Sequence, residues 1–319
     1  MIKVSILIPT YKRPVLVVEA IQSCLNQTYA PYEIIIGDDS PDELTKSVVE
    51  QLQTTSSIAI KHIHNKPSLG QEHNVNRLFD LASGDKIMLL HDDDLLVPDA
   101  LETLVNCYIN DPTISVAYGK QYIISNDGVI SKKSSRTFNE AFYRTEQYEG
   151  SKLTSLEAGL VQQFPNNAYL INADLAKKVK YRPIGEACDF DFGFRVGQTG
   201  EKIHFVNKFT AKYRLSAVAV STNPRNESGL ISYLMVKDTA VPQESIKYKD
   251  AWLKSRAGVA VGQAISNGKI DLAIDIFLSK YHFAKMFTPG GVKRFGRIVL
   301  SGHFLKMFTG LLGRRKSFT

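Results

Sequence analysis

Cysteine is scarce in this chain: Cys24, Cys107 and Cys188 are the only three among 319 residues, far apart and without a C-x-x-C spacing. That pattern excludes a disulfide framework and a structural zinc site, and it fits a reducing compartment. Long apolar runs are also missing. No window reaches the ~20 residues of a membrane span, and the opening stretch Met1 to Pro9 is too short for a signal peptide. The expected location is therefore the cytoplasm. Acidic residues stop at Asp275, whereas nine Lys or Arg follow it, leaving 30 basic against 32 acidic groups before residue 276. The whole basic excess lies in that tail, and a tail of this kind seeks an anionic surface. Finally, the first strand-like run leads into Pro9-Thr10-Tyr11 and not a G-x-G-x-x-G turn, which sets aside a dinucleotide-dependent dehydrogenase.

What remains is an ordinary globular composition, 44% hydrophobic and 22% charged, long enough for one large domain and an appendage. Continuous apolar runs at Val4 to Ile8, Glu33 to Ile36, Ile58 to Ile63 and Ile87 to Leu90 read as buried parallel strands. Helical spacing follows Pro14 (Val17, Ile21, Cys24) and precedes Gly84 (Val75, Leu78, Phe79, Ala82). The expected order is β-α-β-α-β-α-β, an α/β half that binds ligands outside the carboxyl ends of its strands.

Beyond it, short strands are expected at Ser115 to Tyr118, Gln121 to Ser125 and Ala168 to Ile171, with helices from Ala173 and over Asp189 to Gln198. Two longer helices, about Lys249 to Ser266 and Ile270 to Phe287, form a helical appendage. We expect residues 1–240 to be the catalytic domain and 241–319 the helical region. Within the latter, Val292, Phe295 and Val299 share one helical face opposite Lys293, Arg294 and Arg297, and Phe304, Leu305, Phe308, Leu311 and Leu312 make a second. Residues 292–316 thus suit an in-plane contact with an anionic membrane, peripheral on the inner face of the cytoplasmic membrane. Packing on protein is the competing use of those faces, and a homo-oligomer is compatible with it. No nucleic acid is expected.

Three acids in a row, Asp92, Asp93 and Asp94, end the run Lys86 to His91. In extended backbone, Asp92 and Asp94 would point one way and Asp93 the other. Two carboxylates about 4 Å apart repel by roughly 1 to 4 kcal/mol, so a hard divalent cation, Mn²⁺ or Mg²⁺, is the expected guest of Asp94 with Asp92. Helix capping or a solvated turn is the alternative reading of the same residues.

The segments Val4 to Arg13, Ile36-Gly37-Asp38-Asp39-Ser40 and Leu89 to Asp94 together resemble a family 2 glycosyltransferase of the GT-A fold, over residues 3 to about 215. The resemblance implies a nucleotide-sugar-dependent transferase, commonly taking UDP-sugars and inverting. It makes Pro9, Thr10, Tyr11 and Arg13 the nucleotide loop, Asp39 the acceptor for the base imide, Asp38 a support of its turn, and Asp92 and Asp93 part of the donor site. Asn65 to Asn74 is similar to the family stretch N-x-G-x-x-x-A-R-N, with His73 in the arginine position and Asn74 kept as a donor contact. Cys188-Asp189-Phe190-Asp191 resembles E-D-x-D, so Asp189 is the implied base, with Asp191 in reserve. Tyr213-Arg214-Leu215-Ser216 stands where Y-R-x-H is usual; Arg214 remains to neutralise phosphate. The implied acceptor is a glycan or lipid-linked precursor in cell-surface polysaccharide synthesis. The alternative is a nucleotide-binding scaffold or partner subunit of a glycan-assembly complex, without transfer.

Overall fold

The computed structural model describes residues 1–215 and 226–303, which form two compact units: residues 1–184 with 188–215, and residues 185–187 with 226–303. In the first unit the apolar runs become β1 (Val4–Thr10), β2 (Glu33–Asp38), β3 (Ala59–His64) and β4 (Lys86–Leu89). Between them lie α1 (Pro14–Leu25), α2 (Leu44–Thr55) and α3 (Gln71–Leu81). Pro14 opens α1, where its missing N–H is not needed and its fixed φ already suits the helix.

Next come β5 (Leu95–Leu96), α4 (Ala100–Asn110), β6 (Ile114–Ile124), α5 (Lys132–Ala141), α6 (Ser155–Leu160), β7 (Tyr169–Asn172), α7 (Ala173–Val179), α8 (Cys188–Gln198) and β8 (Lys202–Arg214). All eight strands join one sheet in the order β3-β2-β1-β4-β7-β6-β8-β5. The β3-β2-β1-β4 half is parallel, so the carboxyl ends of four strands open on one edge, while β7 runs antiparallel to β4 and β6.

Burial explains why those runs are continuous. On one face Ile6, Ile8, Ile34 and Met88 pack with Val17 and Ile21 of α1 and Leu101 and Leu104 of α4. An aromatic cluster lies elsewhere, with Phe192 of α8 stacked on Tyr181 at 4.7 Å between ring centres and near Phe79, Tyr169 and Phe164. It fastens α8 to the unit, which places the start of that helix beside the ends of the strands. α6 is fixed by a capping box between Thr154 and Glu157.

Two expectations change. The two short strands at 115–118 and 121–125 are one strand, β6, whose register against β8 slips between Tyr118 and Gln121. Gly119 sits at that slip, where a Cβ would run into the Lys208 carbonyl at 2.5 Å. The expected helix Ile270 to Phe287 ends at Phe277, followed by irregular turns.

In the second unit α9 (Ser228–Asp238) packs on α10 (Ile246–Ser266), which also meets α11 (Ile270–Phe277) and α12 (Pro289–Ile298). Helix α9 thus falls on the appendage side, ahead of the division expected after residue 240. Gly268, at a φ of 71°, closes α10 in a conformation that costs other residues energy. No helix among the described residues is long and apolar enough to cross a membrane. The tail positions beyond residue 303, including Phe304, Leu305, Phe308, Leu311 and Leu312, lie outside the described residues, as does Ser216.

The second unit buries His282 completely, and burial, reinforced by the charges of Arg294 and Lys285, holds its pKa down to about 4. A depressed imidazole pKa means that the folded protein resists the proton. Stability is then full above the unfolded value of roughly 6.5 and is lost as pH falls toward 4, by up to roughly 3 kcal/mol. Urea unfolding of the full chain from pH 7.5 to 4.5 is expected to show that loss, and His282→Leu should flatten it.

Candidate active site

The end of β4 turns at once. Asp94 N–H donates to the His91 carbonyl at 3.2 Å, closing a four-residue turn over His91-Asp92-Asp93-Asp94. The expectation that Asp92 and Asp94 share a side is therefore overturned, because alternation needs extended backbone and this segment is not extended. The three acids point to three different sets of partners.

Asp92 is buried and points back to the β1 loop. One of its oxygens accepts from the Thr10 hydroxyl at 2.8 Å and the other from Arg13 at 2.8 Å. Arg13 also reaches Asp93 at 2.8 Å, so one guanidinium bridges two carboxylates. Asp94, also buried, accepts from the Arg214 backbone N–H at 2.7 Å and from the Asn167 amide at 2.9 Å. Burial, and then the neighbouring Asp93, push the Asp94 pKa well above the usual carboxylate range.

Oxygens of Asp93 and Asp94 and a ring nitrogen of His91 all lie within 4.8 Å of one another. Asp92 is outside that group. Hard carboxylate oxygens at a buried, negatively charged point fit Mn²⁺ or Mg²⁺, and a cation there offsets the repulsion that raises the Asp94 pKa.

Arg214, expected to meet phosphate, does something else. Its guanidinium donates to the Asp93 carbonyl at 2.8 Å, to the Asn126 carbonyl and to Glu19 of α1 at 2.6 Å. These contacts occupy the side chain in clamping the acidic turn to β8.

At the ends of β1 and β2 a cleft of about 280 Å³ is lined by Tyr11, Asp39, Ser40, Pro41, Asn65, Lys66, Pro67 and Ser68. Tyr11 is exposed beside it, and Pro9, within β1, pairs with Gly37. Asp39 is held at the cleft by the Asn65 amide at 2.7 Å and the Gly70 N–H at 2.8 Å. Gly70 enters α3 at a φ of 80°, which glycine adopts without strain. Asp38 stands behind, accepting from Ser40 N–H at 2.9 Å and facing His62 at 3.0 Å.

Asn74 differs from the expected donor contact. It is buried, donating to the Gly37 carbonyl at 2.8 Å and accepting from Asn65 at 3.0 Å, and so supports Asp39 from beneath. A Cβ at position 37 would collide with that amide. His73, by contrast, is exposed on α3.

Helix α8 contributes the other side of the site. The Asp189 carboxylate lies 3.9 Å from His91 Nε2, with Gln71 Nε2 at 3.3 Å. Burial raises the Asp189 pKa, and His91 opposes that rise. Asp191 is wholly buried and paired with Arg182 and, at 2.8 Å, with Arg195. The reserve base is thus locked in ion pairs, while Asp189 faces the strand ends. Sequence reasoning missed His91, Asn167, Gln71 and Glu19. Only His91 carried a signal, its place next to the three acids.

Known proteins agree with this architecture. The profile described as glycosyl transferase family 2 matches residues 5–161. A Campylobacter jejuni GalNAc(5)-diNAcBac-PP-undecaprenol beta-1,3-glucosyltransferase is 39% identical over 103 residues, 32% of this chain and 33% of that protein. The chain thus covers about a third of that curated relative's length. Among solved structures, Staphylococcus aureus TarS 1-349 in complex with UDP-GlcNAc superposes with a TM-score of 0.63 at 14% identity, covering 95% of this chain and 92% of that one. The mannosyltransferase PcManGT from Pyrobaculum calidifontis, in complex with GDP-Man and Mn²⁺, gives 0.60 at 14% identity, covering 96% and 88%. The fold is accordingly that of the GT-A glycosyltransferases.

Ligand-linked stability tests the acidic turn. Saturating Mn²⁺ with UDP is expected to raise the melting temperature, by an amount equivalent to about 2.7 kcal/mol at a hundredfold excess over Kd. Asp93→Asn and Asp94→Asn should abolish the Mn²⁺ part of that shift, and Asp92→Asn should retain most of it.

Proposed function

We propose that this chain, whose residues 5–161 match the glycosyl transferase family 2 profile, moves a sugar from a UDP-sugar to a hydroxyl of a glycan or lipid-linked acceptor, with inversion. The observation that carries this reading is the approach of a half-buried carboxylate, Asp189, whose pKa burial raises, to within 3.9 Å of His91 beside the acidic turn. An inverting transfer needs a base on the acceptor side and charge stabilisation on the leaving side. The two ends of this site supply one each.

In this reading the base of the nucleotide enters the cleft beside Tyr11, and Asp39, which keeps free lone pairs, accepts its imide proton. Asp93 and Asp94 would hold Mn²⁺ or Mg²⁺, which when bound offsets charge developing on the departing diphosphate. Thr10, Arg13 and Asp92 keep the β1 loop and the acidic turn in register; Arg214 and Asn74 work from behind. Asp189 takes the acceptor hydroxyl's proton as its oxygen attacks the anomeric carbon.

A lipid-linked acceptor is supported by the relative from Campylobacter, whose own acceptor is an undecaprenol diphosphate glycan. The UDP-GlcNAc complex of TarS and the GDP-Man and Mn²⁺ complex of the Pyrobaculum enzyme support a nucleotide-sugar donor and a divalent metal. An anionic membrane is the proposed resting place of residues 292–316, where Val292 and Leu300 are exposed together with Lys293 and Arg297. That location would keep the site near a lipid-borne acceptor in cell-surface polysaccharide synthesis.

UDP release from a panel of UDP-sugars with Mn²⁺, with and without lipid-linked acceptors, tests the proposal. Asp189→Asn should cut turnover by about 10²- to 10⁴-fold with nucleotide binding kept, while Asp191→Asn should chiefly lower stability. Binding of nucleotide with no turnover that depends on Asp189 would make the chain a scaffold instead.

A further inference from the structure

Asn65 follows β3 directly, and its side chain is buried in the wall of the cleft with both polar atoms engaged. Its backbone N–H donates to the Asp38 carbonyl at 2.8 Å, which fixes the residue against the end of β2. The two hydrogens of its amide nitrogen go to Asp39 Oδ1 at 2.7 Å and to Asn74 Oδ1 at 3.0 Å. Its amide oxygen accepts from Nη1 of Arg77. Asn74 and Arg77 are three residues apart on α3 and so share a face. One helix thus grips both ends of one amide, the buried Asn74 accepting a hydrogen and the exposed Arg77 supplying one.

That grip has a direction. A flipped amide would set its oxygen against the Asp39 carboxylate and its NH₂ against a guanidinium that can only donate. Arginine stays charged at any working pH, so its preference for the amide oxygen does not lapse. A charge-assisted bond at the oxygen also polarises the amide and strengthens the bonds its hydrogens make. The other Asp39 oxygen, Oδ2, is restrained by the Gly70 N–H at 2.8 Å, a backbone donor that cannot turn away. The Asn65 amide sits on a rotatable bond, and Arg77 is what locks it.

We infer that Arg77 is a positioning residue for nucleobase selection: acting through Asn65, it holds the Asp39 carboxylate with free lone pairs toward the cleft, which favours a base carrying an imide N–H. The inference rests on the reading of this cleft as the base site. Uracil offers a donor at ring nitrogen 3, which a carboxylate accepts. Cytosine has a bare acceptor there, which a carboxylate repels. The margin between the two depends on how firmly Asp39 is aimed, because a carboxylate free to swing aside neither rewards the first nor penalises the second.

The experiment measures Kd for UDP by isothermal titration of the full-length protein in Mn²⁺ buffer, and for CDP by competition. Arg77→Ala is expected to raise the UDP Kd about tenfold while the CDP Kd stays within about twofold, so that the preference for UDP narrows. Arg77→Lys, which restores a charged donor, should recover most of the loss. In an Asn65→Ala background, adding Arg77→Ala should weaken UDP by less than about twofold more, since the route through Asn65 is already cut.

An unchanged UDP Kd in Arg77→Ala would overturn the inference. So would equal weakening of UDP and CDP, which would make Arg77 a general support of the fold or of the phosphates. If Asp39→Ala keeps the parent's preference for UDP over CDP, the reading of the base site fails, and the inference goes with it. If Asp39→Ala loses that preference and Arg77→Ala keeps it, only the inference fails.

Discussion

Negative charge crowded into one turn is the constraint on which this site depends. Asp92, Asp93 and Asp94 follow one another where four parallel or mixed strands end, and two of the three are buried. At separations near 4 Å each pair of carboxylates repels by roughly 1 to 4 kcal/mol, and more where water is excluded. The protein answers with cations and dipoles brought from distant parts of the chain. Arg13 comes from the start of α1, Arg214 from the end of β8 and the Asn167 amide from the entry to β7. The compensation is uneven. Asp92 is matched by an arginine and a hydroxyl, whereas Asp94 accepts from the Arg214 N–H and the Asn167 amide and keeps a raised pKa. An incompletely matched acid at a strand end is where a cation and a diphosphate have most to offer.

The same sorting by environment separates the two acids of α8. Asp191 lies between Arg182 and Arg195 and serves the fold. Asp189, two residues earlier, meets Gln71 and His91 and, among the described residues, no cation of fixed charge, and burial raises its pKa. Neighbouring carboxylates with opposed surroundings let one helix start provide an anchor and, in the proposed reading, a base. Phe192 on the same helix, packed against Tyr181 and Phe79, keeps that arrangement at the strand ends.

The parallel half was legible because burial on both faces forces continuous apolar runs, and Val4 to Ile8 or Glu33 to Ile36 satisfy that condition directly. β8, the longest strand, was not. Its sequence KIHFVNKFTAKYR carries Asn207 and Lys208 in mid-strand, and slips in its pairing with β6 break the alternation that would betray it. Within the site, Asp39, Asp189 and the acidic triplet stood out because carboxylates at strand ends and a helix start are few. Their partners did not. Asn167, Gln71 and Glu19 are ordinary polar residues until the fold brings them across 73, 118 and 195 positions of sequence. The expected same-side pairing of Asp92 with Asp94 failed for a local reason: strand geometry was extended one turn too far. Arg214 and Asn74 went astray because their hydrogen bonds run inward, to Asp93, Glu19 and Gly37, and nothing in a linear pattern gives direction.

The acidic turn as a cation-held diphosphate site is most directly tested by anomalous diffraction at the manganese edge from crystals grown with UDP and Mn²⁺. The account predicts one strong peak within bonding distance of Asp93 and Asp94 oxygens, with the diphosphate on its far side and uracil in the cleft by Tyr11 and Asp39. A peak on Asp92 alone, or a nucleotide bound away from this turn with no manganese near it, would contradict it.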